Sequence, residues 1–462
     1  MSESSRTRTL DAGPQGHDTA TPNRWLILVA GVLVQLAIGA VYAWSVFAKA
    51  LQSQEAFGWS KSTASIPFEV VIGMIFVGSF VGGRIQDRKG PRIVALVGGV
   101  IYAVGVILAS FATDESKLWL LVLGYGVLGG FGLGMVYIVP IAMLQKWFPD
   151  KPGLITGIAV AGFGFGAVIT APVGQRLIDA TPSVPTKAFL PLGIGYLVAI
   201  LLGASLFRNP PAGYQVPGTA RGASSAPARA PRSGGATTTA PDGGAASTPA
   251  SVVASERTPT RDFPTNEALS TPQWYLLTAI LTLSVTAGIS LISVAAGSAT
   301  DVAGFSKLAA ASLVGTLGLF NGGGRILWGW LSDRIGKMPA FMGILGIQGI
   351  CLILIPHASS PAMFAILAAL VYTCYGGAFG TMPSTAGRFF GVKNAGAIYG
   401  LMLIGWSIGG VVGPLLIAKL IGDEKAYTRG FTVVGIIALV ALVIPLVTRK
   451  PRDGAGSDVT AS

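Results

Sequence analysis

Apolar runs of about twenty residues, separated by short polar breaks, recur twelve times along the chain. A hydrocarbon layer about 30 Å thick needs about 20 apolar residues per helix, so each run predicts one membrane-spanning helix. The first six cover residues 25–47, 62–85, 93–112, 118–143, 153–178 and 188–207; the second six cover 273–296, 307–330, 338–356, 360–382, 395–420 and 428–448. The pattern predicts an all-α membrane protein of twelve transmembrane helices in two six-helix bundles, 25–207 and 273–448. Between them, residues 208–272 are dominated by Ala, Gly, Pro, Ser and Thr. Such a stretch has too little apolar surface to offset ordering entropy, and is expected to be a disordered cytoplasmic linker. Residues 1–24 are polar and include Arg6, Arg8 and Arg24. The first apolar run is long enough to span, so no cleavable signal peptide is expected. The tails are assigned to 1–24 and 449–462.

Composition agrees with the pattern. Of 462 residues, 11% are charged and 51% hydrophobic, against about 25% charged in a soluble domain. The 32 Lys and Arg exceed the 20 Asp and Glu by twelve. This excess lies in short loops and tails, not on a helix or sheet face, and suits anionic lipid rather than nucleic acid. Arg84, Arg88, Lys89, Arg92, Lys146, Lys151, Arg208, Arg334, Lys337, Arg388 and Lys393 follow the even-numbered spans, and Arg449, Lys450 and Arg452 follow the last. The alternate loops carry less, so both termini are expected in the cytoplasm. Cys351 and Cys374 lie in apolar runs without zinc-ligand or disulfide spacing and read as small core residues. No metal and no cofactor is expected.

One short motif occurs twice. "GGRIQDRKGPR" (82–92) follows span 2 and "GWLSDRIGK" (329–337) follows span 8, and both fit G-x-x-x-D-R-x-G. The first supplies Gly83, Asp87, Arg88, Gly90 and Arg92; the second supplies Gly329, Asp333, Arg334 and Gly336. A short cationic loop with an acid can clamp the end of a neighbouring helix, and its making and breaking can track a conformational change. Simple positive-inside anchoring explains the arginines but not the acids or the repeated glycines.

With this repeated loop in a six-plus-six arrangement, residues 23–450 resemble the major facilitator superfamily. "NRWLILVAGVLVQLAIGAVYAWSVF", "KWFPDKPGLITG", "STPQWYLL", "FNGGGR" and "MPSTAGRFFG" are similar to the oxalate/formate antiporter family, which carries oxalate, formate and lactate. The resemblance implies alternating access around a site near the bilayer midplane. The glycine-rich "GYGVLGGFGLGM" (124–135) and "GIAVAGFGFGA" (157–167) suit close, sliding helices. No G-x-x-x-x-G-K-[ST] loop is present, so a gradient rather than ATP is the expected energy source.

Arg325 is the conspicuous residue. A guanidinium in hydrocarbon costs roughly 2.5 to 3.5 kcal/mol on insertion scales, so it must snorkel to the surface or serve a purpose. Asn321 lies one turn back on the same face. An arginine facing a water-filled cavity grips a carboxylate with two parallel hydrogen bonds. The resemblance puts the family's substrate-binding arginine on "FNGGGR", hence on Arg325. It also places cavity aromatics at Tyr42, Tyr137, Phe163, Tyr375 and Phe379, for which helix packing or lipid contact is the plainer reading. Oxalate-transporting members carry a lysine six residues after a Tyr-Gly pair; after Tyr399-Gly400 that residue is Trp406. One cavity charge instead of two suggests a monocarboxylate such as lactate or formate. Trp406 is a candidate to stack on Arg325.

Glu69 is the only acid well inside a span, where it is expected to be neutral or paired; Asp301 lies at the outer end of span 7. Either is a coupling candidate if transport is proton symport. His357 and His17 are poorly placed as central shuttles. The expected activity is secondary transport of a small organic anion by proton symport or anion exchange, with an oxalate/formate-type dicarboxylate antiporter and a transporter-like anion sensor as alternatives. A membrane-embedded enzyme is disfavoured, because the spans hold no metal cluster and no nucleophile beside a base. The expected partners are a small carboxylate, the lipid bilayer and protons, with no nucleic acid. The expected setting is a bacterial inner (plasma) membrane, crossed many times by a functional monomer.

Overall fold

The structure, a computed structural model, describes residues 22–211, 213–216, 261–422 and 424–451. Arg6, Arg8, His17, Arg452 and most of the expected linker lie outside the described residues. The described chain is helical, with no strand. Eleven segments are long and apolar enough to cross a membrane. They are α1 (Arg24–Leu51), α2 (Ser62–Lys89), α3 (Pro91–Ala109), α4 (Glu115–Trp147), α5 (Pro152–Asp179), α6 (Pro185–Ser205), α7 (Pro272–Ala303), α9 (Lys337–His357), α10 (Pro361–Phe390), α11 (Ala395–Ile421) and α12 (Tyr427–Val447). A further helix of 29 residues, α8 (Lys307–Ile335), carries Arg325.

The ends of these helices follow from their sequence. Ser60, Ser306 and Ser360 each accept a hydrogen bond from a backbone amide three residues on, satisfying an amide that the first turn would otherwise leave unpaired. Proline opens α3, α5, α7 and α10 at a position where its missing N–H costs nothing. Gly90 and Gly336 end α2 and α8 at φ 88° and 95°, a conformation that glycine adopts without steric penalty. The helices therefore outlast the apolar runs. The repeated motif, expected as a loop, sits on the last turns of α2 and α8, and a single glycine joins each to the next helix. Basic side chains there also favour the negative end of the helix dipole.

Burial divides the outer helices into two apolar faces, whereas α4 and α10 are enclosed over much of their length. On α3, Val94, Gly98, Tyr102 and Val106 are buried, whereas Ile93, Val97, Val100 and Val104 form an exposed stripe. A helix that is apolar all round and open on one side matches a hydrocarbon surrounding rather than water.

The first six segments pack chiefly among themselves, α2 on α4, α3 on α4 and α6, and α1 on α5 and α6. The last six do likewise, α8 on α10, α7 on α10 and α11, and α9 on α10 and α12. The two sets meet through α5 against α8 and α10 and through α2 against α11. Four of the spans expected as continuous helices are interrupted. α4 widens to a π-helix at Val122–Gly129, and α12 breaks between Val440 and Val443. α1 tightens to a 3-10 turn at Gly39–Ala43, and α11 breaks at Leu403 between Ala395–Met402 and Ile404–Ile421. Such irregularities inside a helix often mark functional positions, and the last two present Tyr42 and Trp406.

Candidate functional site

Arg325 lies in α8 where that helix meets α5 and α10, and only 1% of its surface is exposed. Its Nη1 donates to the Val160 carbonyl of α5 at 3.0 Å. Nη2 reaches the Tyr42 hydroxyl of α1 at 3.4 Å, and Nε reaches Asn321 Oδ1, one turn back on α8, at 3.4 Å. The latter two are long for N–H···O bonds. The guanidinium also lies over the rings of Phe379, 5.2 Å away, and Phe163, 5.7 Å away. Among the described residues no carboxylate pairs with it. A guanidinium has five N–H donors; three are engaged here, two of them weakly.

The rings around it form one connected cluster. Phe163 meets Tyr42 and Tyr137 edge-on, each at 5.1 Å. Tyr375 meets Phe379 at 5.4 Å, and Trp406 meets Phe379 at 5.0 Å and Tyr137 and Phe163 at 6.0 Å. The eight residues proposed from sequence thus converge from α1, α4, α5, α8, α10 and α11.

Two expectations need correction. Instead of facing a water-filled cavity, Arg325 is enclosed by side chains, because small residues let α5 and α10 close on α8 and the aromatic rings fill the remaining space. Instead of stacking on Arg325, Trp406 is one ring removed; Phe163 and Phe379 occupy the faces of the guanidinium.

One residue was missed. Tyr399 is buried, and its hydroxyl faces that of Tyr137, each the other's neighbour; no further partner meets either among the described residues. The available signal was its spacing: it precedes Trp406 by seven residues, two helical turns, and so shares its face. Only one of the two hydroxyls can donate to the other, so the second O–H is left for a carboxylate oxygen entering beside Arg325. Tyr399→Phe is expected to raise the KM for anion uptake by about tenfold, the scale of one lost hydrogen bond to a charged group; an unchanged KM would remove Tyr399 from the site.

The acids lie elsewhere. Glu69 is exposed rather than enclosed, and Ser65 of the same helix donates to it at 2.8 Å. Asp301 pairs with Lys425 at 3.0 Å and accepts from the Tyr427 hydroxyl at 2.8 Å. His357 is exposed at the end of α9, and Cys351 and Cys374 are buried and free. No group of residues that could hold a metal ion occurs among the described residues.

The two motif copies reach across between the helix sets. Asp333 accepts from the backbone amides of Gly153 and Leu154, at the start of α5, at 3.0 and 2.9 Å. Asp87 accepts from the Ala397 amide, at the start of α11, at 2.9 Å. Each carboxylate faces the positive end of a helix from the opposite set. Gly329 lies against Gly153 and Gly83 against Gly396 so closely that a Cβ on either motif glycine would strike the partner backbone. The copies differ in their surroundings. Lys337 is buried and donates to Asp333, Ser332 and Ser384, each at 2.8 Å, whereas Asp87 keeps one carboxylate oxygen buried without a partner. The clamping is done by the acids: Arg334 lies over Trp330, and Arg92 donates to the Ser205 carbonyl.

The sequence profile of the Major Facilitator Superfamily matches residues 25–414. The oxalate:formate antiporter of Oxalobacter formigenes is 27% identical, covering 91% of this chain and 90% of that protein. Apicoplast pyruvate carrier 1 of Toxoplasma gondii is 26% identical, covering 94% of this chain and 92% of that one. The crystal structure of the E. coli fucose:proton symporter FucP superposes with a TM-score of 0.64 at 14% identity, covering 93% of this chain and 98% of that one. At that identity the likeness concerns the fold alone.

Proposed function

The chain belongs to the Major Facilitator Superfamily, and on that premise we propose that it is a secondary carrier of small organic anions, with a monocarboxylate such as lactate or formate as cargo. It moves that cargo by alternating access, coupled to protons or to a counter-anion. The observation that carries this reading is the buried, acid-free guanidinium of Arg325, touched by the Tyr42 hydroxyl and walled by aromatic rings. A carboxylate supplies the missing negative charge and accepts two parallel N–H bonds in a site from which the rings exclude water. The similarity to an oxalate:formate antiporter and a pyruvate carrier points to the same cargo class.

In this reading α8 is the twelfth span, α1–α6 and α7–α12 form the two bundles, and the end bearing Gly90 and Gly336 faces the cytoplasm with both termini. The single cation argues for one carboxylate, since a second would enter the enclosure without a partner. Of the two coupling candidates, Glu69 is better placed to exchange a proton, because Asp301 is already held by a lysine and a tyrosine.

Purified protein in liposomes tests this. Labelled lactate or formate is expected to accumulate under an imposed pH gradient or against preloaded anion, with oxalate competing at least about tenfold more weakly, because its second charge stays unpaired. Saturable oxalate uptake without lactate or formate uptake would replace this reading with the dicarboxylate one. Binding without accumulation would make the protein a sensor.

A further inference from the structure

At the motif end of the molecule the helix sets leave a seam pocket of about 380 Å³. One wall is α2, through Phe80, Arg84, Asp87 and Arg88. The other comes from the opposite set, chiefly Asn394 of the α10–α11 turn and the short helix Thr265–Leu269 that precedes α7.

This second wall is held in place. The Phe263 amide donates to the Phe390 carbonyl at 2.9 Å, Asp262 accepts from the Lys393 amide at 3.0 Å, and the Asn394 side chain donates to the Phe263 carbonyl at 2.7 Å.

Arg84 and Arg88 are exposed, one turn apart. Arg84 rests over the Phe80 ring, and neither arginine makes an ion pair or donates a hydrogen bond among the described residues. They outnumber Asp87, the one acid in the lining, and Asp87 is committed to the start of α11. A second hollow of about 350 Å³ shares Phe80, Arg84 and Arg88, adds Lys89 at its basic end, and continues along α2 over Val81 and Ile85. The seam pocket therefore opens onto an apolar surface.

We infer that the seam pocket binds the phosphate of an anionic lipid headgroup, with Arg84 and Arg88 as its ligands and the acyl chains lying over Val81 and Ile85. Arginine offers paired N–H donors in the geometry that phosphate accepts, and basic side chains at a membrane surface favour anionic lipid. Because the walls belong to opposite helix sets, an occupant bridges them and favours the state in which Asp87 meets α11.

The full chain in phosphatidylcholine nanodiscs, with and without phosphatidylglycerol, tests this by native mass spectrometry and thermal unfolding. Phosphatidylglycerol is expected to stay bound and raise Tm, and the Arg84→Gln/Arg88→Gln double variant to hold it about thirtyfold more weakly, the combined effect of two basic side chains at such a surface. If that variant does not fold, Arg84→Gln alone, at an exposed position, is read the same way with a smaller loss. In a separate arm, inorganic phosphate is added to phosphatidylcholine discs. An equal Tm rise there would overturn the lipid as occupant in favour of a soluble anion. Equal retention of phosphatidylglycerol by wild type and variants would overturn the site. None of these readouts depends on transport.

Discussion

Arg325→Lys is expected to lower carboxylate uptake in liposomes by about a hundredfold, nearly as much as Arg325→Ala, while the protein stays folded. Truncating one member of a buried charged pair costs about 2–5 kcal/mol, and about 1.4 kcal/mol is a factor of ten. Lysine keeps the charge but not the fork. Its ammonium cannot serve Val160 and Tyr42 on one side while offering two parallel donors to a carboxylate. It also loses the planar face that lies over Phe163 and Phe379. Tm measured with and without lactate separates binding from folding: wild type gains stability with ligand, and the variants do not. Wild-type uptake by the lysine variant would mean that charge alone suffices and that the bidentate geometry is irrelevant.

Asp333→Ala carries the second large effect. The substitution removes the acceptor for two amides at the start of α5 and strands Lys337, whose side chain is 2% exposed. Breaking a buried pair from one side costs about 3–5 kcal/mol; since the Asp333 side chain is 18% exposed, about 2–3 kcal/mol is the expected penalty on the closed motif end. That shifts the balance of states by roughly thirtyfold or more. Spin labels at Lys151 and Pro339, on either side of the α5–α8 contact, should gain a longer distance component in double electron–electron resonance, and uptake should fall by about tenfold. Asp87→Ala should act in the same direction but less strongly, because Asp87 holds one helix-end amide rather than two and its neighbour Lys146 is not drawn into an ion pair with it. If the distances do not change, the acid does not hold this end shut.

The helices were legible because hydrocarbon demands long apolar runs, and α1 to α12 lie on the runs read from sequence. Arg325 was legible for the converse reason, since a cation in such a run is too costly to be incidental. Its enclosure was not, because whether rings separate around a guanidinium or pack upon it depends on how α5 and α10 approach α8. Trp406 was a candidate to stack on the guanidinium, but sequence gives no distance, and Phe163 and Phe379 lie against it instead. Tyr399 was passed over because a tyrosine in a span is ordinarily a packing residue, and only the meeting of its hydroxyl with that of Tyr137 distinguishes it. The exposure of Glu69 was not legible, since position along a helix fixes depth but not the direction that a side chain faces. The motif acids were recognised as clamps, yet their location on helical turns was not, because charge reads as loop until the dipole of the preceding helix is considered.

Gly90 and Gly336 leave no slack between the helices they join. Where α2 ends α3 begins, so a displacement that parts Asp87 from α11 is handed directly to the root of α3. The outer stripe of Ile93, Val97, Val100 and Val104 then has to shear through acyl chains. In the proposed transport cycle, opening this end is work done on the surrounding lipid as well as on the protein, and the viscosity of the bilayer would enter the turnover rate through a joint one residue long.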